Sequence, residues 1–315
     1  MAACISTQSK TVLDRFQIRK TKQQKEKFRT WLCETLEREG YAPRVETSKS
    51  LTANRNVVVG DPAKAKLLLG AHYDTCAVMP FPNFITPRNL VAYLIYQILL
   101  AAVIFAVAAV PAVIISLLGA PGEAVLLIWY AALLFCLWWM MAGPANKHTV
   151  NDNSSGVMTL LEIALALPEE QRESVCFVFF DNEEKGVFGS AAFFKTYKKE
   201  LADTLMLNFD CVSDGDYIQF YPARKVKKEE AVLKQLEEAF PSTAEKTVEA
   251  VRGFGFYPSD QKSFPRGVGV CALKRKPILG YYMNRIHTKR DTVLEEENLM
   301  LLRDGVLRLV HTIEK

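Results

Sequence analysis

The chain has 315 residues, enough for one large domain or two ordinary ones. Its formal net charge of +4 is modest, and it gives no reason to expect a nucleic-acid partner. The seven cysteines are scattered without paired spacing, which fits a reducing compartment better than a disulfide framework. The opening stretch MAACISTQSKTVLDRF lacks a basic region followed by an apolar one, so we expect no cleavable signal peptide.

Hydrophobic periodicity predicts alternating strands and helices over most of the chain. Helices are expected at 22–39, 154–167, 190–197, 227–240 and 295–313. Apolar runs that end in polar residues predict buried strands in KLLLGAHYD, CFVFFDNEE and TLMLNFD, and shorter strands are expected at 44–47, 56–59, 268–273 and 278–283. This alternation is typical of an α/β fold with a central mixed, mostly parallel sheet that is flanked by helices.

One long apolar stretch departs from this pattern. Residues 89–120 read NLVAYLIYQILLAAVIFAVAAVPAVIISLLGA, and residues 123–143 read EAVLLIWYAALLFCLWWMMAG. Each run exceeds the roughly 20 residues that a helix needs to cross a bilayer, and neither contains Lys, Arg or Asp. Pro111 is a place where the first helix could kink, as membrane helices tolerate. We therefore expect a transmembrane helical hairpin at 89–143, inserted between the two parts of an α/β domain, 1–88 and 144–315.

The charges beside the hairpin predict its orientation. Two spans return the chain to the side that it left, as a domain divided between 1–88 and 144–315 requires. Arg88 and Lys147 lie next to the spans on the side of the domain, whereas the far turn carries only Glu123. The positive-inside rule therefore places the domain on the cytoplasmic side of a membrane protein with two spans.

Five polar clusters are candidates for a single site. Three predicted strands end in acids or a histidine, and the clusters TVNDNSSG and NRIHTKRDT precede a helix or lie in a loop. In open α/β sheets the carboxyl ends of the strands form the ligand crevice, so we expect these clusters to meet there. Together they offer a mixed nitrogen and oxygen set that suits zinc or a similar ion, namely His72, Asp152, Glu184, Asp210 and His287. Five ligands exceed what one catalytic ion with an open position needs, but they suit two ions roughly 3.5–4 Å apart that share a carboxylate.

Each cluster alone has an ordinary structural explanation. An isolated Glu-Glu pair is more often a charged surface turn, and a lone histidine beside a strand is more often structural. Adjacent residues also point in different directions, so Glu183 and Glu184 are expected to have different roles. The joint arrangement of all five clusters is what favours a metal site.

The blocks GAHYDT, NDNSSGV, FDNEEKGVFGS, LNFD and RIHTKRDT, in this order, resemble the five signature blocks of the M28 family of metallo-aminopeptidases. The resemblance covers nearly all of the chain outside residues 80–148. It implies an α/β sandwich with a central mixed sheet and two divalent metal ions, expected to be Zn²⁺. It further implies that His72 and Asp210 bind one ion, that Glu184 and His287 bind the other, and that Asp152 bridges both.

The resemblance also implies two catalytic residues. Asp74 would orient the ring of His72. Glu183 would be the general base, taking a proton from the attacking water and returning it to the leaving amine. The sequence departs from the family pattern in two places: Asn151 stands where many members carry a second acid, and the apolar hairpin is inserted between the blocks of His72 and Asp152. The segment SDQKSF at 259–264 resembles a family loop that lines the substrate pocket, and no further role is assigned to it.

These implications predict a membrane-anchored dinuclear metallopeptidase, most simply an aminopeptidase. Its partners would be peptides with a free N-terminus and, through residues 89–143, a lipid bilayer. One alternative is an amide hydrolase of N-acyl amino acids or other lipid-like amides on the same scaffold, and another is a non-catalytic receptor or scaffold. Relatives that cyclise N-terminal glutamine use one ion, and the presence of both His72 and Asp210 argues against that activity. The complete ligand set together with Glu183 argues against a non-catalytic protein.

Overall fold

A computed structural model describes residues 4–49 and 52–314. Its α-helices are α1 Thr7–Phe16, α2 Lys22–Arg38, α3 Leu90–Leu117, α4 Gly122–Ala142, α5 Gly156–Ala166, α6 Phe188–Thr196, α7 Glu230–Ala239 and α8 Glu296–Glu314. Its strands are β1 Arg44–Lys49, β2 Ala53–Val59, β3 Leu67–His72, β4 Val175–Phe180, β5 Leu205–Phe209, β6 Tyr217–Pro222, β7 Thr247–Ala250, β8 Gly267–Lys276 and β9 Gly280–Tyr282. Each element that the sequence predicts is present, and α1, β6 and β7 are additional.

The strands form one mixed sheet, which confirms the predicted fold class. Within the described residues the strand order is β1-β2-β4-β3-β5-β8-β6-β7, and β9 pairs with β8. The four central strands, β4, β3, β5 and β8, run parallel, while antiparallel strands extend the sheet on both sides. Because parallel strands end at the same edge, the residues after β3, β4 and β5 are brought together there.

Side-chain alternation along the central strands creates a core on each face of the sheet. Leu67 and Leu69 of β3 belong to a large core cluster with residues of α5 and α8, such as Leu160 and Leu302. The intervening Leu68 belongs to a second core cluster, on the side of α6. Since successive residues of a strand point to opposite faces, this division shows helices covering both faces.

The apolar stretch folds as two helices, α3 and α4, that pack against each other. Their most apolar windows have mean hydropathies of 3.0 and 2.1, and only 11% and 0% of those windows is buried. Pro111 lies inside α3, which continues through it, and Ala108 and Ala112 are the residues of α3 that are buried. By length and composition both helices are able to cross a bilayer.

A buried ion pair fixes the turn that follows β4. The Lys25 ammonium donates to Asp181 Oδ1 at 2.5 Å and to Asn182 Oδ1 at 2.8 Å. Asp181 Oδ2 also accepts the Arg55 backbone N–H at 3.0 Å. The Lys25 and Asp181 side chains are only 9% and 1% exposed. Helix α2 and strand β2 thus hold the residues that immediately precede Glu183.

We predict that Lys25→Met destabilises the fold by about 3–5 kcal/mol, because it leaves the Asp181 carboxylate buried without its cation. Chemical denaturation of the purified protein measures this loss. Lys22→Met, an exposed position on the same helix, is the matched control and should change stability by less than about 0.5 kcal/mol. Equal stability of the two variants would show that the ion pair does not hold the turn.

Candidate metal centre

A cavity of about 150 Å³ opens at the edge of the sheet where β3, β4 and β5 end. It is lined by the five predicted ligands and by Glu183, and also by Asn83, Ile85, Cys211, Tyr257, Pro258 and Ile286. The predicted ligands, which are spread over the sequence, therefore meet in one place.

The carboxylate of Asp152 lies between the two imidazoles. Its Oδ1 is 3.4 Å from His72 Nε2, and its Oδ2 is 2.8 Å from His287 Nε2. His72 Nε2 is also 3.5 Å from Asp210 Oδ1, and His287 Nε2 is 3.5 Å from Glu184 Oε2. Atoms bound at about 2.0 Å to one tetrahedral ion are about 3.3 Å apart, so three of these four separations match a shared ion.

The ligand atoms fall into two groups that share Asp152. In one group His72, Asp152 and Asp210 each place a ligand atom within 4.8 Å of the others. In the other group Asp152, Glu184 and His287 do the same, together with the sulfur of Cys76. The site therefore contains two adjacent candidate ligand groups, and one carboxylate oxygen of Asp152 faces the histidine of each.

Two details of the site fit a bound cation. Glu184 Oε1 is buried and has no hydrogen-bond partner among the residues that the structure describes. His72 Nδ1 lies 3.1 Å from the Asp74 backbone oxygen. The tautomer that donates from Nδ1 to this oxygen leaves a lone pair on Nε2, which faces the carboxylates of Asp152 and Asp210. A cation in this space would stabilise both the unpartnered Glu184 Oε1 and the lone pair on His72 Nε2, which otherwise faces only negative carboxylates.

Asp74 connects the His72 strand to the glutamate turn. Its Oδ1 lies 3.7 Å from His72 Nδ1, beyond hydrogen-bond distance. The same carboxylate accepts the backbone N–H groups of Glu183 at 3.0 Å and of Glu184 at 3.3 Å. Asp74 therefore positions the Glu183–Glu184 turn as well as standing beside the His72 ring.

Burial raises the pKa of both glutamates. Burial is the main cause that raises the pKa of Glu184 to about 8, against the opposing charge of His287. Burial likewise holds the pKa of Glu183 well above its usual value, against the opposing charge of His72. Positive charge in the cavity lowers the pKa of such carboxylic acids towards the neutral range that suits a general base.

The pKa values of Asp152 and His287 shift in opposite directions. Burial alone would raise the pKa of Asp152, but the charge and hydrogen bond of His287 and of His72 hold it well below its usual value. Burial would lower the pKa of His287, but Glu184 and Asp152 raise it to about 10. Each shift has the sign expected for a carboxylate and an imidazole of opposite charge that lie 2.8 Å apart.

Two acids at the site were not predicted from the sequence. Asp291 accepts the backbone N–H groups of Asn151 at 2.7 Å and of Asp152 at 3.0 Å, and burial raises its pKa to about 7. Asp260 is fully buried, and its charge contributes to raising the pKa of Glu183. Each lies in a block that the sequence singled out, RIHTKRDT and SDQKSF, which is the signal that could have indicated them.

Strained backbone accompanies the site. Asn182, Cys211 and His287 have left-handed φ angles of 56°, 57° and 59°. The first two adjoin Glu183 and Asp210, and the third is itself a predicted ligand. Such conformations cost of order 1–3 kcal/mol each for ordinary residues and cluster at functional sites. At the ends of β4 and β5 and in the His287 loop, the backbone therefore adopts conformations that cost stability and that position the residues of the site.

Comparisons with known proteins identify the family and the fold. The model of Peptidase family M28 matches residues 139–304. Solved structures with the same fold include the LapA aminopeptidase of Legionella pneumophila, which is 14% identical with a TM-score of 0.59 over 97% of this chain and 68% of that one. A glutaminyl cyclase of Porphyromonas gingivalis is 18% identical, with a TM-score of 0.60 over 99% of both chains.

A Zn-dependent exopeptidase from Parabacteroides distasonis is 13% identical, with a TM-score of 0.59 over 96% of this chain and 94% of that one. At such identities the likeness establishes the fold alone. A search among curated proteins returned no match.

Proposed function

The chain belongs to peptidase family M28, and from this premise we propose that it is a membrane-anchored aminopeptidase with two divalent metal ions. The observation that carries the proposal is the carboxylate of Asp152, whose two oxygens face His72 and His287 at 3.4 and 2.8 Å. His72 and Asp210 would hold one ion and Glu184 and His287 the other, with Asp152 between them. When bound, divalent zinc supplies Lewis acidity, which lowers the pKa of water towards neutrality and polarises a scissile carbonyl.

Within this site Glu183 is the residue suited to move the proton. It lines the cavity, yet it belongs to neither group of ligand atoms, unlike its neighbour Glu184. The carboxylate of Asp74 accepts the backbone N–H groups of both glutamates and so fixes the turn that carries them. Glu183 takes a proton from the attacking water as the carbonyl carbon is attacked. It then returns that proton to the amine that leaves with the new N-terminus.

Identical substitutions at the two glutamates should separate their roles. Glu183→Gln should keep about two ions per chain and lose on the order of 10² or more in kcat, since only the proton acceptor is removed. Glu184→Gln should lose metal from one position, and Asp152→Asn should weaken both positions because it serves both. Elemental analysis after mild dialysis and turnover of a leucyl amide measure the two properties.

The substrate class needs its own control. A peptide with a free N-terminus should lose one residue at a time, whereas the same peptide with an acetylated N-terminus should stay intact, read by mass spectrometry. Internal cleavage of both peptides would contradict the aminopeptidase assignment. Full turnover by Glu183→Gln, or full activity with a single ion, would contradict the assigned base or the dinuclear centre, respectively.

We propose that α3 and α4 cross the membrane and that the α/β domain faces the cytoplasm. Three cations lie at the foot of the hairpin: Arg88 and Lys147 flank it, and the Lys20 ammonium donates to the Met141 backbone oxygen at 2.8 Å. The positive-inside rule supports this orientation. In intact cells a cysteine at Gly122 should react with a membrane-impermeant thiol reagent, and one at Lys147 should not. The reverse pattern would place the domain outside.

A pair of cavities beside the hairpin favours a second candidate function, the hydrolysis of N-acyl amino acids. An apolar cavity of about 320 Å³ lies between α3 and α4 and reaches Pro80 and Phe81. A second cavity, of about 450 Å³, begins at the same two residues and extends to Lys289 and Arg290. Neither cation has an acidic partner among residues 4–49 and 52–314, and both follow His287 closely in the chain.

The two cavities together have the polarity of a single-chain amphiphile. An acyl chain suits the apolar part between the helices, and a carboxylate suits the cations at the other end. The amide that joins them would then lie on the side of the His287 loop. A bilayer would supply such a molecule directly to the hairpin.

Acyl-chain length is the variable that tests this second candidate. For N-acyl glycines, kcat/KM should rise about fourfold per methylene, since each buried methylene contributes about 0.8 kcal/mol. Ile104→Trp, which fills the apolar cavity, should flatten this dependence. Val113→Trp, an exposed position on the same helix outside that cavity, is the matched control. Failure of the wild-type protein to cleave any N-acyl glycine would rule this candidate out.

A further inference from the structure

Cys76 stands among the ligand atoms of one metal position. Its sulfur lies within 4.8 Å of ligand atoms of Asp152, Glu184 and His287. Cys76 is 4% exposed, and its sulfur has no hydrogen-bond partner among the described residues. Beside it, the buried Glu184 Oε1 is also without a partner among the described residues. The two residues that carry these unpartnered atoms belong to one group, whose ligand atoms lie within 4.8 Å of one another.

The position of Cys76 is set by the backbone on both sides. Its carbonyl oxygen accepts the Asn146 N–H at 3.1 Å, and the next residue, Ala77, pairs with Ala145. Two residues further on, the Met79 N–H donates to the His287 backbone oxygen at 2.7 Å. The segment that carries Cys76 is thus bonded to the loop that carries the histidine ligand. Because these bonds fix the backbone, the sulfur is preorganised for an ion at this position.

We propose that Cys76 is a thiolate ligand of the ion held by Glu184 and His287. This inference rests on the proposed metal centre, and it adds a sulfur atom to a ligand set of nitrogen and oxygen. A bond of about 2.3 Å from zinc to sulfur suits a site whose other bonds are about 2.0 Å. With these bond lengths a tetrahedral ion places the sulfur about 3.5 Å from the neighbouring ligand atoms, which is inside the 4.8 Å limit that their separations satisfy.

A sulfur ligand changes which metal the site prefers. Thiolate is a soft ligand that selects zinc over magnesium or manganese, whereas carboxylates alone suit the harder ions. The ion at Glu184 and His287 should therefore be zinc with high selectivity. The other position, with His72, Asp152 and Asp210, has no cysteine in its group and should discriminate less.

Cobalt(II) and zinc provide direct readouts of a sulfur ligand in the full-length protein. The cobalt-loaded wild-type protein should show a thiolate-to-cobalt charge-transfer absorption in the near ultraviolet, and Cys76→Ser should lose it. X-ray absorption of the zinc-loaded wild-type protein should show sulfur at about 2.3 Å, a measurement that needs no variant. Cys76→Ser should bind the ion about 10- to 100-fold more weakly, and its preference for zinc over manganese should narrow.

Cys211 is the matched control. It is also buried and lines the cavity, but its thiol donates to Asp210 Oδ1 at 3.1 Å and it belongs to neither group of ligand atoms. Cys211→Ser should keep the charge-transfer absorption, and loss of the absorption in this variant alone would overturn the assignment to Cys76. Metal bound with nitrogen and oxygen neighbours only would overturn the thiolate ligand and leave the metal pair standing. A protein that binds no divalent metal would overturn both.

Discussion

The site depends on one carboxylate, Asp152, that faces two imidazoles. Asp291 holds the turn that carries it by accepting the backbone N–H groups of Asn151 and Asp152. Because Asp291 belongs to the same loop as His287, the turn and the loop fix each other's positions. On the other side, His72 ends a strand that pairs with both β4 and β5. The Asp152 carboxylate is therefore held between the centre of the sheet and a loop that bonds to the Asp152 backbone, an arrangement that would preorganise it for the proposed bridging role.

Buried cations lie close to the buried carboxylates at the edge of the sheet that forms the site. Arg19, which is fully buried, donates to the Tyr73 backbone oxygen at 2.5 Å and to Ser154 Oγ at 3.1 Å. Burial lowers the pKa of Arg19 to about 10, and the charges of Asp74 and Asp152 oppose that shift. Lys25 is the buried cation that pairs with Asp181 at the end of β4. The segments around α1 and α2 thus supply the counter-charges of the site, although they contribute none of its predicted ligands.

The sequence predicted most of the sheet and the meeting of the ligands, because the relevant signals are local. An apolar run followed by acids, as in CFVFFDNEE, indicates both a buried strand and the edge at which its polar residues lie. Cys76 and Asp291 were not predicted because their roles depend on how two loops fold against each other, and no periodicity reports that. Helix α1 was not predicted because its ten residues carry few apolar positions, and β7 is a strand of only four residues, three of which are not buried. The physical reason is the same in each case: tertiary contacts, rather than local propensity, hold these parts in place.

Backbone contacts join the segments on either side of the two long apolar helices, as the proposed insertion requires. Ala77 pairs with Ala145, and the Val78 N–H donates to the Pro144 oxygen at 2.9 Å, so the segments before α3 and after α4 lie together. An insertion whose ends meet at a surface loop leaves the rest of a fold intact. The segment that leads into α3 also lines the metal cavity through Asn83 and Ile85, and Ile85 pairs with Met283 ahead of the His287 loop. The same stretch of chain therefore both lines the candidate active site and leads into the first of the two apolar helices.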